Sequence, residues 1–129
     1  MDKFKVLIVD DEVDFLETIV KRLRARGIEV TGVESGYKAL EVLDGSNPDV
    51  IILDVKMPGL DGIETLREIK KKKPLTEVIM LTGHASVESG IQGMQLGAFD
   101  YVMKPVALDE LLEKMRQAYE RKLIQEGRA

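Results

Sequence analysis

The chain has 129 residues, 33% of them charged and 44% apolar, with a net charge of −4 and no cysteine. That length fits one domain and no second, the acidic balance gives no reason to expect a nucleic-acid backbone as partner, and the missing cysteines exclude disulfides and thiolate metal sites. No apolar run approaches the ~18 residues of a membrane span, and Val6 to Val9 meets acids too soon for a signal peptide, so the expected location is the cytoplasm.

In chain order, strands and helices alternate without a break. Lys5-Val6-Leu7-Ile8-Val9-Asp10-Asp11 reads as a buried strand ending in two carboxylates. Val13 to Arg26 follows, with Phe15, Leu16, Ile19, Val20 and Leu23 at helical spacing until Gly27 stops it. Glu29 to Val33 makes a short second strand. Ser35-Gly36 leads into a helix carrying Ala39, Leu40 and Leu43, closed by the turn residues Gly45 to Pro48. The third strand is Val50-Ile51-Ile52-Leu53-Asp54, whose four consecutive apolar residues mark a strand covered on both faces. Asp54 is its single charge, at a tip where a desolvated, unpaired carboxylate would cost on the order of several kcal/mol. Pro58 and Gly59 turn the chain directly afterwards.

Ile63 to Lys73 forms the next helix, capped by Asp61, with Ile63, Leu66 and Ile69 inward. Its lysine run from Lys70 to Lys73 faces outward as a solvated helix end, not a nucleic-acid patch, until Pro74 terminates it. Val78 to Thr82 is the fourth strand, Ser86 to Leu96 a glycine-bearing helix, and Phe99 to Met103 the fifth strand. Ala107 to about Glu126 is the last helix, with Leu108, Leu111, Leu112, Met115 and Tyr119 on one face. The domain is expected over residues 1–123, with 124–129 as a polar tail.

Strict alternation of five strands and five helices implies an α/β fold, a doubly wound parallel sheet of order 2-1-3-4-5. That order makes the first and third strands neighbours, so Asp10, Asp11 and Asp54 converge on one crevice, which Thr82 and Lys104 overlook from the other side. Three carboxylates so placed either protonate or take a hard divalent cation, and oxygen ligands that leave room for water favour Mg²⁺. A lysine ammonium and a threonine hydroxyl suit phosphoryl oxygens. With no G-x-x-x-x-G-K-[ST] loop, no second basic clamp and no obvious base for water in the sequence, nucleotide hydrolysis is poorly supported. A carboxylate can itself be the nucleophile and form an acyl phosphate.

The Val-Asp-Asp-Glu after the first strand, Asp-Val-Lys-Met-Pro-Gly-Leu-Asp-Gly, Leu-Thr-Gly-His and Asp-Tyr-Val-Met-Lys-Pro fall in order at successive strand ends. Together they make the chain resemble, along nearly its whole length, the receiver domain of two-component response regulators, with its flavodoxin-like fold. The resemblance implies a phosphoacceptor signalling domain, not an enzyme with a separate substrate, that promotes its own phosphotransfer and slow dephosphorylation. Asp54 would take the phosphoryl group from a sensor histidine kinase or a phosphotransfer protein. Asp10, Asp11, Asp54 and the backbone carbonyl of Lys56 would hold Mg²⁺, and Thr82 and Lys104 would bind the phosphoryl oxygens. A cis peptide before Pro105 is implied as well, together with an inward movement of Tyr101 as Thr82 is drawn to the phosphate.

Rival readings exist for single residues. Asp11 or Glu12 can serve a helix N-terminus, Thr82 can be a plain strand former, Tyr101 a partly buried aromatic, Lys104 a solvated strand end and His84 an exposed loop residue. A haloacid-dehalogenase-type phosphatase would place a second aspartate two residues past the nucleophile, where this chain has Lys56, and a flavin carrier's phosphate would meet the acids from Asp10 to Asp14. Gly90 and Gly93 each cost ~1 kcal/mol of helix stability relative to alanine, which predicts the softest helix over 86–96. That helix, the fifth strand and the last helix would then form the regulated surface for a second copy or an effector; the alternative is that the glycines only permit close packing on the sheet. No direct nucleic-acid or membrane contact is expected of this domain.

Overall fold

The computed structural model describes residues 4–83 and 87–127. Its elements run β1 (Lys5–Val9), α1 (Val13–Ala25), β2 (Glu29–Val33), α2 (Gly36–Gly45), β3 (Val50–Asp54), α3 (Gly62–Lys72), β4 (Glu77–Thr82), α4 (Val87–Gln95), β5 (Asp100–Met103) and α5 (Leu108–Gln125). The strands form one parallel sheet in the order β2-β1-β3-β4-β5, as the alternation requires. His84 and Ser86, the latter the expected first residue of the fourth helix, lie outside the described residues.

Successive strand side chains point to opposite faces, so the apolar runs of the central strands supply two cores at once. On one face Val6, Ile8, Ile52, Ile79 and Leu81 meet Leu16, Ile19 and Leu23 of α1 and Leu111, Met115 and Ala118 of α5. On the other, Leu7, Val9, Ile51, Leu53 and Met80 meet Ala39 and Leu43 of α2 and Leu66 and Ile69 of α3. Every residue of β3 and β4 is buried, which holds their carboxyl ends rigidly in the middle of the sheet.

Helix ends follow the sequence signals. The Asp61 carboxylate accepts from Glu64 N at 2.9 Å and the Ser35 hydroxyl from Lys38 N at 3.1 Å. Gly27, at φ +82°, closes α1. Gly62 lets the start of α3 lie directly on the backbone of Asp54 and Val55, where a Cβ would have no room, and its N–H donates to Val55 O at 2.9 Å.

Three details refine the sequence reading. The lysine run is not simply solvated: Lys70 is half-buried and turned to Thr76 O and Glu77, while Lys72 pairs with Asp44 and Lys73 with Asn47. The last helix ends at Gln125, within a residue of its expected end, and near that end Lys122, only 7% exposed, is paired with Asp49 across the sheet edge and with Glu126 one turn on. Finally, both helix glycines of α4 fit the close-packing alternative. A Cβ on Gly90 would stand 2.9 Å from Thr82 Cγ2 and 3.4 Å from the Tyr101 ring, and one on Gly93 3.1 Å from Met80 Cγ.

Candidate functional site

Strand register builds the site. The last β1–β3 partners are Val9 and Leu53, so Asp10 and Asp54 leave the sheet side by side, and Asp54 is itself paired with Leu81, one residue before Thr82. Lys104 follows the last β4–β5 partners, Thr82 and Met103, and its N–H donates to Thr82 O at 2.7 Å. Residues from four parts of the chain thus meet at the carboxyl edge of the sheet, at the point where strand order reverses and open α/β folds bind ligands.

Asp10 is fully buried and Asp54 is 7% exposed. The Lys104 ammonium lies 2.8 Å from Asp10 Oδ2, 2.7 Å from Glu12 Oε1 and 3.9 Å from Asp54 Oδ1. The other Asp10 oxygen accepts from Glu12 N at 2.9 Å. Burial pushes the Asp54 carboxyl up to about 7; the Asp10 charge adds to this, Lys104 opposes it, and Asp11 raises it further by charge and a shared hydrogen bond. Burial also raises Asp10 against the pull of Lys104. Burial alone would lower Lys104, but its hydrogen bonds to Asp10 and Glu12 and the surrounding negative charge raise it, so the ammonium stays charged.

Sequence reasoning selected Asp10, Asp11 and Asp54. Among the described residues, the acids whose ligand atoms lie within 4.8 Å of one another are Asp10, Glu12 and Asp54. Asp11 is exposed and reaches Asp54 without joining that mutually close set. Glu12 was the residue underestimated. It occupies the N-cap position of α1, yet its side chain makes no capping bond and is directed to Lys104. The signal available beforehand was only a third consecutive acid after the strand.

Thr82 is fully buried and its hydroxyl has no hydrogen-bond partner among the described residues, an unsatisfied group at the edge of an acidic crevice. Tyr101 is half-buried, with its ring against Gly90 beside the Thr82 methyl. Lys56 is exposed on the loop two residues past Asp54. The Lys104–Pro105 bond is cis. His84 is outside the described residues.

Three carboxylates, all hard oxygen donors, face one ammonium, with Asp11 beside Asp54, and burial leaves Asp54 partly protonated at neutral pH. Such a donor set fits a small divalent cation, whose charge would favour the ionised form of Asp54. The buried Thr82 hydroxyl and the Lys104 ammonium are hydrogen-bond donors at the same edge.

Comparison with known proteins agrees with the geometry. The family model of the response regulator receiver domain matches residues 6–116. The chain is 35% identical over 118 residues to the DNA-binding transcriptional regulator NtrC of Escherichia coli (strain K12), covering 92% of this chain and 25% of that protein. It is 36% identical over 123 residues to the response regulator MprA of Mycobacterium sp. (strain KMS), covering 95% of this chain and 54% of the relative. The crystal structure of a response regulator receiver domain protein from Clostridium thermocellum superposes with a TM-score of 0.89 at 40% identity, over 95% of this chain and 98% of that one. The chain therefore spans about a quarter to a half of these two curated relatives but nearly all of a solved receiver domain. With the doubly wound sheet and the acidic crevice at its carboxyl edge, these matches identify the chain as a member of the receiver-domain family of two-component response regulators.

Proposed function

We propose that Asp54 is the phosphoacceptor and that the donor is a phosphohistidine on a sensor kinase or phosphotransfer protein. The observation that carries this reading is the pairing of a buried, electrostatically loaded carboxylate with Lys104 3.9 Å from its oxygen and an unsatisfied Thr82 hydroxyl at the next strand end. An Asp54 oxygen attacks phosphorus, the new O–P bond forms as the N–P bond breaks, and the departing imidazole nitrogen keeps the electron pair and takes up a proton.

Asp10, Asp11, Asp54 and the Lys56 carbonyl would hold Mg²⁺, which supplies positive charge to the phosphoryl oxygens. Asp10 fixes the ammonium of Lys104 at the mouth of the crevice, and Lys104 and Thr82 donate to the transferred group as its charge redistributes. Closure of the core around Asp54 keeps bulk water away from the acyl phosphate, so dephosphorylation by the domain itself is slow.

The readout would run through Thr82. Its methyl and the Tyr101 ring share the space above Gly90, so a Thr82 hydroxyl drawn to the phosphoryl group leaves room that Tyr101 fills. The face of α4, β5 and α5, on which Ile91 and Met94 of α4 are exposed, then changes for a second copy or an effector.

Incubation with Mg²⁺ and acetyl phosphate should add one phosphoryl group by intact mass. Asp54→Asn should remove the adduct. An adduct retained in that variant would place the acceptor elsewhere.

A further inference from the structure

The crevice holds a contact that the phosphoacceptor chemistry leaves unexplained. Glu12 caps no helix N–H with its side chain, and instead reaches 2.7 Å to Lys104, a residue 92 positions away. The ammonium is thereby boxed in: Asp10 at 2.8 Å, Glu12 at 2.7 Å and the face of Phe15 at 4.6 Å from the ring centroid surround it, while Asp54 at 3.9 Å is beyond hydrogen-bond distance. An ammonium has three donors. One is given to Glu12, Asp10 Oδ2 lies at 2.8 Å as an ion pair, and the cationic surface lies on an aromatic face.

The two carboxylates that hold it are not equivalent. Asp10 is fully buried and tied to the backbone of Glu12, so it cannot withdraw, whereas the Glu12 side chain is 65% exposed and on release would be solvated at little cost. A holder that is short-range, charged and readily solvated suits a contact that breaks when a stronger anion arrives.

We propose that Glu12 is a positioning residue that holds Lys104 away from Asp54 in the unphosphorylated site and competes with the phosphoryl group for its ammonium. Release of Glu12 then accompanies formation of the Lys104–phosphoryl contact, and Glu12 sets how firmly the phosphoryl group is retained. The inference rests on the phosphoacceptor reading of Asp54.

The test uses beryllium fluoride with Mg²⁺, a phosphoryl mimic that binds an ionised carboxylate without turnover, and reads affinity by calorimetry. Glu12→Gln, which keeps the shape and removes the charge, should bind the mimic about three- to tenfold more tightly. Loss of a negative charge would tighten anion binding by general electrostatics as well, so the substitution is repeated in a Lys104→Gln background. There the gain should largely disappear. In lysine-labelled protein the Lys104 side-chain signal should shift with Glu12→Gln, and in the same direction when the wild-type chain takes up the mimic. An equal gain in both backgrounds, or unchanged or weaker binding in Glu12→Gln, overturns the inference while leaving the phosphoacceptor reading intact. Failure of the wild-type chain to bind the mimic overturns that reading and this inference together.

Discussion

The two edges of one sheet carry buried charge in opposite ways. At the amino edge, Glu77 is paired with Arg121 at 3.1 Å and Lys70 at 3.6 Å, and Lys122 with Asp49 at 3.0 Å and Glu126 at 2.7 Å. Three acids meet three cations there. Burial would lower Lys122, but hydrogen bonds to Glu126 and Asp49 raise it, so the pair stays ionised. At the carboxyl edge, Asp10, Glu12 and Asp54 surround Lys104, the one cation ion-paired with these acids among the described residues, Asp11 adds its charge beside Asp54, and the Thr82 hydroxyl has no hydrogen-bond partner among those residues. The amino edge matches its acids with cations and serves to dock the end of α5. The carboxyl edge carries more negative than positive charge, and that imbalance distinguishes a candidate site from a structural network.

The contrast can be broken at either edge. The largest effect is expected from Lys122→Ala, which leaves Asp49 and Glu126 facing each other without their cation and should cost about 3 kcal/mol of unfolding free energy by denaturant titration. A loss below about 0.5 kcal/mol would mean the amino-edge network is no more than surface decoration.

The opposite sign is expected at Asp54. Its carboxyl titrates near 7 in the folded chain and near 3.8 when unfolded, so the folded state binds the proton more tightly, and metal-free stability falls as pH rises from about 4 through about 7. Asp54→Asn should therefore stabilise the metal-free protein at pH 8 by roughly 2–4 kcal/mol, the upper figure being the full linkage and the lower allowing for the buried amide, with the gain fading towards pH 4. A variant less stable than wild type at pH 8 would contradict the strain assigned to this edge.

Mg²⁺ should relieve the same strain. In excess it should raise wild-type stability by about 1–3 kcal/mol at pH 8, less at pH 6 where a proton competes for Asp54, and little in Asp10→Ala. A response independent of pH would show that Asp54 is not among the ligands. The smallest effects concern the two glycines of α4. Alanine gains about 1 kcal/mol of helix propensity at either position. At Gly90 the 2.9 Å approach to Thr82 Cγ2 should more than cancel it, whereas at Gly93 the flexible Met80 can yield and the net change should be near zero. Thermal denaturation of the two variants tests this difference, and a stabilised Gly90→Ala would deny the close coupling of α4 to Thr82.

Much of the molecule was legible in the amino-acid sequence alone because the signals involved are local. Apolar runs and 3.6-residue periodicity determined the ten elements to within a residue or two, Asp61 and Ser35 announced their helices, and alternation implied the order β2-β1-β3-β4-β5. Position at strand ends brought out Asp10, Asp54, Thr82 and Lys104 as residues of one edge, since topology alone carries them there. What only the tertiary structure decided was which charges pair. Glu12 and not Asp11 joins Asp10 and Asp54 in the mutually close set, and the Glu12 side chain turns 92 residues along the chain to Lys104. Lys122 looks like one more exposed helix lysine until Asp49, 73 residues away, is found beside it. Gly90 and Gly93 read as weak points in a helix until Thr82, Tyr101 and Met80 occupy the space their Cβ atoms would need. Period and propensity act within a few residues, whereas Coulomb energy and steric contact depend on distances of a few ångströms between segments, and those distances exist only once the sheet has assembled.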